Sequence, residues 1–143
     1  MKLADLLYHK GWGAAMLPES VTVETTVKIM CDQQIGSVIV QSEDGRFAGL
    51  LTERDVLHGF VEQGSALRSM PIRSVMLHQV PLAEPDMLLE EAMLIMTERR
   101  VRHLPIVKDG GIVGIVSIGD IVKATLQEKV QEADALRNYI AYS

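Results

Sequence analysis

The sequence predicts a mixed α/β (α+β) protein in which two similar β-α-β-β-α units pack through their sheets with pseudo-two-fold symmetry. Two observations support this fold class. The chain repeats itself internally, and each copy of the repeat has a stretch of helical periodicity followed by two apolar runs around a turn. We expect residues 1–66 to form the first unit with an N-terminal lead-in, residues 67–125 the second unit, and residues 126–143 a helical tail.

The repeat is clearest at two junctions between an apolar strand and a helix. Residues 49–55 read GLLTERD and residues 114–120 read GIVSIGD. Each junction has a glycine, two aliphatic residues, a hydroxyl residue and, three positions after it, an aspartate. Upstream, a shift of 66 places Gly36 on Arg102, and the shift falls to 65 after the loop between the two strands. Loops absorb such length changes without disturbing a core.

Each unit is predicted to contain a short extended segment, a helix, a hairpin and a second helix. Apolar residues at helical spacing predict the helices, and Asp-Gly turns predict tight hairpins. The predicted elements of the first unit are strand 14–17, helix 21–34, strands 37–41 and 47–51, and helix 54–63. Those of the second unit are an extended segment 80–82, a helix ending near residue 100, strands 103–107 and 112–116, and a helix from residue 118. A short lead-in precedes each unit, at residues 3–7 and 72–76.

Composition and charge exclude several classes of function. The chain has 143 residues with 48% apolar and 23% charged side chains, as in ordinary globular domains. A net charge of −5 argues against general nucleic-acid binding. Its apolar runs are too short to span a bilayer, and its N-terminus lacks the apolar segment of a secretory signal. The single Cys31 cannot form an internal disulfide, so we expect a cytoplasmic protein in which this thiol packs in the core.

These residues carry a family resemblance. Tandem β-α-β-β-α units, each ending in Gly-apolar-apolar-Thr/Ser-x-x-Asp, resemble a pair of CBS domains, the regulatory module named after cystathionine β-synthase. Three segments are particularly similar to small stand-alone bacterial CBS-pair proteins: residues 52–55 (TERD), 102–105 (RHLP) and 117–120 (SIGD). The resemblance covers the whole chain. It implies that adenosine nucleotides bind in two clefts between the units.

The resemblance also implies roles for individual residues. Asp55 in one cleft and Asp120 in the other would hold a ribose, because a carboxylate accepts hydrogen bonds from both ribose hydroxyls. Thr52 and Ser117 would donate hydrogen bonds to phosphate. Adenine would lie against residues at the strand ends, which are Ala14, Gly36, Ser37 and Val38 with their counterparts Val80, Arg102, His103 and Leu104. Pro105, which ends the same motif, is also expected among the nucleotide-binding residues.

Positive charge for phosphate is available near both motifs. Arg54 lies inside the first motif, and a basic cluster occupies the turn between helix and strand in the second unit: Arg99, Arg100, Arg102 and His103. The helix that begins at each motif adds the positive end of its dipole. The second motif has Gly119 where the first has Arg54. We therefore expect the two clefts to differ in affinity, or one of them to stay empty.

Simpler explanations exist for the same residues. Thr52 is a good N-cap, and Asp55 suits the N-terminus of a helix without any ligand. The basic cluster could be a solvated turn. The identity of the ligand also stays open among AMP, ADP, ATP, NAD and S-adenosylmethionine.

No catalytic centre is predicted. The histidines lack metal-ligand spacing, and the sequence contains no GxxxxGK[ST] loop, no GxGxxG motif and no nucleophile elbow. We expect a non-enzymatic sensor without a catalytic cofactor or metal, whose partners are an adenosine nucleotide and a second copy of the chain. Membranes and nucleic acids are not expected as partners.

The alternative to a sensor is a homodimeric interaction or scaffold protein whose ligand clefts are vestigial. The tail supports it, because its apolar residues recur at spacings of three and four. These residues are Val122, Leu126, Val130, Ala133, Leu136 and Ile140. Such a stripe has to pack on the body of the same chain, on a second copy, or on an unknown client protein.

Overall fold

The computed structural model of the protein describes residues 1–142 and confirms the predicted fold class. Its helices and strands, in chain order, are α1 (Leu3–Lys10), β1 (Met16–Pro18), α2 (Val23–Gln33), β2 (Ser37–Gln41), β3 (Phe47–Thr52), α3 (Glu53–Gln63), α4 (Leu89–Arg99), β4 (His103–Lys108), β5 (Gly111–Ser117) and α5 (Ile118–Tyr142). Two short 3-10 segments, Gly64–Ser69 and Ile72–Ser74, connect the two units.

Each unit contains a small sheet. In the first unit β1 pairs in parallel with β2, and β2 pairs antiparallel with β3. In the second unit β4 and β5 form a two-stranded antiparallel sheet. The extended segment predicted at residues 80–82 is reduced to a single bridge between Ala83 and Ile106. Prolines at positions 81 and 85 explain this difference, because proline has no N–H group to donate to a strand ladder.

The internal repeat is also visible in the backbone. Gln34 and Arg100, which are equivalent residues, end helices α2 and α4 with positive φ values of 55° and 54°. The amide of Glu53 donates to the carbonyl of Gly36 at 3.1 Å, and the equivalent amide of Ile118 donates to the carbonyl of Arg102 at 2.8 Å. Each motif helix is thus fastened at its first residue to the segment that precedes the neighbouring strand.

The two lead-ins cross between the units. Helix α1 precedes the first unit, yet Leu3 and Leu7 are buried in the core of the second, where they pack with Leu89 and Ile106. The segment after α3 does the reverse, and Leu67, Ile72 and Met76 are buried with the core residues of the first unit. The sequence repeat attached each lead-in to the unit that follows it, so this exchange was not predicted. The domain boundaries at residues 66/67 and 125/126 stay predictions.

The glycine that opens each motif makes room for the crossing lead-in. A Cβ atom on Gly49 would lie 2.5 Å from the carbonyl oxygen of Leu77, and one on Gly114 would lie 2.9 Å from the Leu7 side chain. At Gly49 the backbones are joined by hydrogen bonds in both directions between Leu50 and Leu77, of 2.8 and 3.0 Å. The glycines of GLLTERD and GIVSIGD therefore serve packing between the two units.

Helix α5 joins the last predicted helix and the predicted tail into one helix of 25 residues. Ile121 and Ala124 are buried, whereas residues 129–142 are exposed along their whole length, which is about 20 Å at 1.5 Å per residue. Over residues 1–142, no helix is both long enough and apolar enough to cross a membrane.

The expectation that Cys31 packs in the core is wrong, because the thiol is exposed. Helix α2 buries Val23, Thr26 and Met30. These residues recur at helical spacing, and Cys31, one position beyond Met30, is rotated by about 100° away from their face.

Candidate functional site

An open cleft with a volume of about 930 Å³ lies between the two units. The residues that line it come from both motifs, from the segment before α4 and from the turn between α4 and β4. They are Gly36, Leu50, Thr52, Glu53, Arg54, Asp55, Leu57, His58, Leu77, Gln79, Pro81, Arg99, Arg100, Val101, Arg102, His103, Ser117, Ile118 and Gly119. We call this cavity the Asp55 cleft.

At the wall of the Asp55 cleft, Thr52 and Asp55 cap helix α3. The Asp55 Oδ2 atom accepts hydrogen bonds from the Thr52 amide at 2.8 Å and from the Thr52 hydroxyl at 2.9 Å, while the Asp55 amide donates to the Thr52 hydroxyl oxygen at 3.3 Å. The simpler explanation of these residues as a helix cap is therefore correct. The cap uses only one oxygen of the Asp55 carboxylate, because within residues 1–142 no hydrogen bond reaches Oδ1.

Ser117 and Asp120 form the corresponding cap of helix α5. The Ser117 amide donates to Asp120 Oδ2 at 2.8 Å, and the Asp120 amide donates to the Ser117 hydroxyl oxygen at 3.1 Å. Thr52 donates its hydroxyl hydrogen to Asp55, and the Ser117 side chain likewise interacts with the Asp120 carboxylate and helps to lower its pKa. Ser117 also lines the Asp55 cleft.

The cleft is rich in arginine. Arg54, Arg99, Arg100 and Arg102 line it and are exposed, against the two carboxylates of Glu53 and Asp55. Of the ion pairs formed among residues 1–142, none includes any of these four arginines. An excess of unpaired guanidinium groups favours a ligand that carries negative charge.

His103 lies on the second unit's side of the cleft, and its pKa is lowered. Burial lowers its pKa, as do Lys10 and Arg102 to a smaller extent, against the opposing effects of Glu53 and Asp120. A lowered pKa disfavours the charged form of the ring, and the expectation that His103 contacts phosphate stays a prediction. Its Nδ1 atom is buried and has no hydrogen-bond partner among the described residues.

Gly36 leaves space between the two units. A Cβ atom at this position would lie 3.1 Å from the Glu53 carboxylate and 3.4 Å from Nε2 of His103. The prediction that this glycine keeps a wall of the cleft open stays a prediction, and the distances define what a larger side chain would displace.

Several predicted residues lie away from the Asp55 cleft. Val38 and Leu104 are buried in the cores of the two units, so their side chains do not form walls. Four other predicted residues are also absent from the lining, namely Ala14, Ser37, Val80 and Pro105.

Asp120 borders a different cavity. This cavity, of about 740 Å³, runs between α1 and α5, and we call it the Asp120 groove. There the Lys10 ammonium group lies 2.6 Å from Asp120 Oδ2 and 2.7 Å from the carbonyl oxygen of Ile115. Partial burial acts to raise the pKa of Asp120, but the hydrogen bonds from Lys10 and Ser117 outweigh it and lower the pKa. Sequence reasoning missed Lys10, which lies 110 residues from its partner.

The fold and the cleft define a class: a tandem α/β module in which two helix N-termini face a cavity shared by two repeated units. The sequence model of the CBS domain matches residues 14–62 and 72–127. The chain belongs to the CBS domain family and contains two CBS units.

Individual relatives agree with this assignment. The mitochondrial CBS domain-containing protein CBSX3 of Arabidopsis thaliana is 37% identical over 123 residues, which are 83% of this chain and 60% of the relative. The chain thus spans less than two thirds of that relative's length. The crystal structure of the CBS-domain containing protein ATU1752 from Agrobacterium tumefaciens superimposes with a TM-score of 0.85 at 32% identity, covering 87% of this chain and 99% of that one.

A more distant structure shares the fold alone. The CBS domain pair of protein MJ0100 was solved in complex with 5′-methylthioadenosine and S-adenosyl-L-methionine. Its TM-score is 0.78 at 20% identity, over 90% of this chain and 98% of that one.

Proposed function

We propose that this protein is a cytoplasmic, non-catalytic regulatory module that binds an adenosine nucleotide in the Asp55 cleft and so senses energy or metabolic state. One observation carries the proposal: the free carboxylate oxygen of Asp55 and four unpaired arginines line one open cavity. A nucleotide would satisfy both, because its ribose supplies hydroxyl donors and its phosphates supply negative charge.

Each part of the ligand has a proposed position. Oδ1 of Asp55 accepts from the ribose hydroxyls while Oδ2 keeps its bonds to Thr52. The Ser117 hydroxyl donates a hydrogen bond to phosphate, and the four arginines surround the phosphate. Pro81 and Val101 supply apolar surface for the adenine ring.

Charge ranks the five candidate ligands. AMP, ADP, ATP and NAD carry phosphate, whereas the sulfonium group of S-adenosylmethionine is positive and would face the arginines. We therefore propose phosphate-bearing nucleotides as the ligands of this cleft. The complex of MJ0100 supports only the coarser point that this fold can accommodate adenosine compounds.

The proposal is tested by calorimetric titration with AMP, ADP, ATP, NAD, S-adenosylmethionine and adenosine. Asp55→Ala is expected to weaken binding of the phosphate-bearing ligands by about ten- to a hundredfold, since it removes charge-assisted hydrogen bonds of about 1.5–3 kcal/mol. Asp5→Ala is the matched control, because Asp5 accepts from the Lys2 amide at 2.9 Å in an equivalent helix cap outside the cleft. Equal affinities for the two variants would contradict the ribose assignment, and recovery of a chemically altered nucleotide would contradict the non-catalytic role.

A second candidate function is favoured by exposed apolar side chains on two helices. Leu57, Phe60 and Val61 are exposed on α3, and Leu126 and Leu136 are exposed on α5. Large exposed apolar patches mark interaction sites. We propose that these helix faces pack against a second copy of the chain, so that the protein is a homodimer. The same surface would form the interface of a scaffold protein whose clefts are vestigial.

Analytical ultracentrifugation tests the dimer. Leu126→Glu is expected to shift the protein to monomers, whereas Gln127→Glu adds the same charge beside it and serves as the control. A monomeric wild-type protein would contradict the homodimer. A dimer that binds no nucleotide would favour the scaffold.

A further inference from the structure

The two aspartates of the repeat are in different electrostatic environments. Asp55 receives hydrogen bonds from Thr52 alone, whereas Asp120 also accepts one from Lys10, the last residue of α1. The internal repeat places Val75 or Met76 opposite Lys10, so no lysine approaches the first motif in the same way. This difference arises from the N-terminal lead-in. It is independent of the difference between Arg54 in the first motif and Gly119 at the equivalent position of the second.

Lys10 is well placed to be displaced. Its ammonium group has two acceptors, Asp120 Oδ2 and the carbonyl of Ile115, and the Lys10 and Asp120 side chains are 36% and 27% exposed. Partly exposed ion pairs are only modestly stable, because water solvates both ions when they separate. Like the Ser117 amide, Lys10 contacts Oδ2 of Asp120, so it competes with a ligand through its charge and through the space that it occupies beside the carboxylate.

We propose that Lys10 is an internal competitor for Asp120, so that a nucleoside fills the Asp55 cleft first and enters the Asp120 groove only when Lys10 leaves. This inference rests on the proposed function, in which Asp55 holds ribose, and on the expectation from the sequence that Asp120 holds ribose in the same way. The lysine then acts as a specificity-determining residue that makes two repeated sites unequal. The protein would respond to its ligand over two concentration ranges.

Adenosine is the right probe for this competition, since it has the ribose hydroxyls but no phosphate that removal of a lysine charge would affect. Titration followed by NMR can use the backbone amides of Asp55 and Asp120 as separate reporters, because each is bonded inside its own motif. Lys10→Met is compared with the wild type. Lys28→Met is the matched control, since Lys28 forms a 3.7 Å ion pair with Glu24 on α2.

We expect Lys10→Met to tighten adenosine binding at Asp120 by about five- to tenfold, because the apparent dissociation constant falls as the competing state is removed. Binding at Asp55 is expected to stay unchanged, and Lys28→Met is expected to match the wild type. Unchanged or weaker binding at Asp120 in Lys10→Met would overturn the competition, as would the absence of any adenosine response at Asp120 in both chains.

Failure of the proposed function would give a different result. In that case the Asp55 amide does not respond to adenosine or AMP in the wild type, whatever happens at Asp120. A second measurement needs no variant: in wild-type protein, acetylation of Lys10 by acetic anhydride should accelerate at adenosine concentrations that shift the Asp120 amide. A constant acetylation rate at those concentrations would overturn the inference.

Discussion

Replacing Gly49 with alanine tests how the two units are held together. The new Cβ atom would lie 2.5 Å from the carbonyl oxygen of Leu77 and 2.9 Å from the Met76 sulfur. The sulfur belongs to a flexible side chain, but the carbonyl is backbone and is fixed by its hydrogen bond to the Leu50 amide. The chain must therefore move the crossing segment away from β3.

The expected cost follows from this geometry. Overpacking of a filled site costs about 1–3 kcal/mol, and weakening the hydrogen bonds between Leu50 and Leu77 adds about 1 kcal/mol. We expect Gly49→Ala to lower the free energy of unfolding by about 2–4 kcal/mol. In a chain of this length that corresponds to a fall of roughly 7–13 °C in Tm.

Urea unfolding followed by circular dichroism measures this change. Gly111→Ala is the control, because its Cβ atom would come no closer than 3.9 Å to the Lys108 carbonyl and its φ is not positive. That variant should stay within about 0.5 kcal/mol of the wild type. Equal stability of the two variants would refute the argument that the crossing lead-in packs on Gly49.

Two further predictions concern charge. AMP should bind the Asp55 cleft more tightly than adenosine, and the ratio of the two affinities should fall as salt is added. Arg54→Gln should reduce this ratio about three- to tenfold. Arg46→Gln, at the β2–β3 turn, is the control and should leave the ratio unchanged. Calorimetry at two salt concentrations measures this ratio, and equal binding of AMP and adenosine at low salt would show that the basic cluster is only a solvated turn. The lowered pKa of His103 predicts that the free energy of unfolding rises with pH, because below the unfolded value of about 6.5 the unfolded chain binds a proton that the folded chain does not. Urea unfolding between pH 5 and 8 measures this pH dependence, which should disappear in His103→Gln and persist in His58→Gln. An unaltered pH dependence in His103→Gln would contradict a lowered pKa of His103.

The sequence was sufficient for the fold because the repeat and the periodicities are local signals. The hydroxyl residue and the aspartate three positions later form the same helix cap in both motifs, and the hairpin turns lie where Asp-Gly predicts them. Periodicity shows that a lead-in is apolar, but it does not show which core receives it. That choice depends on the assembled units, so the crossing of the lead-ins could not be predicted.

The site was predictable only in part, for the same reason. Thr52, Arg54 and Asp55 lie in the cleft because they share one motif with a fixed local geometry. The pairing of Lys10 with Asp120 joins residues 110 positions apart, and the lowered pKa of His103 depends on burial. Neither leaves a pattern in the sequence. Val38 and Leu104 were correctly placed on strands, but their side chains point into the cores.

A crystal structure of the protein grown with AMP would show whether a nucleotide binds in the Asp55 cleft and how its ribose is held. We expect ribose hydroxyls bonded to Oδ1 of Asp55, a phosphate among Arg54, Arg100 and Arg102, and Asp120 still paired with Lys10 when AMP is limiting. Nucleotide bound outside the Asp55 cleft, or with its ribose turned away from Asp55, would contradict this expectation.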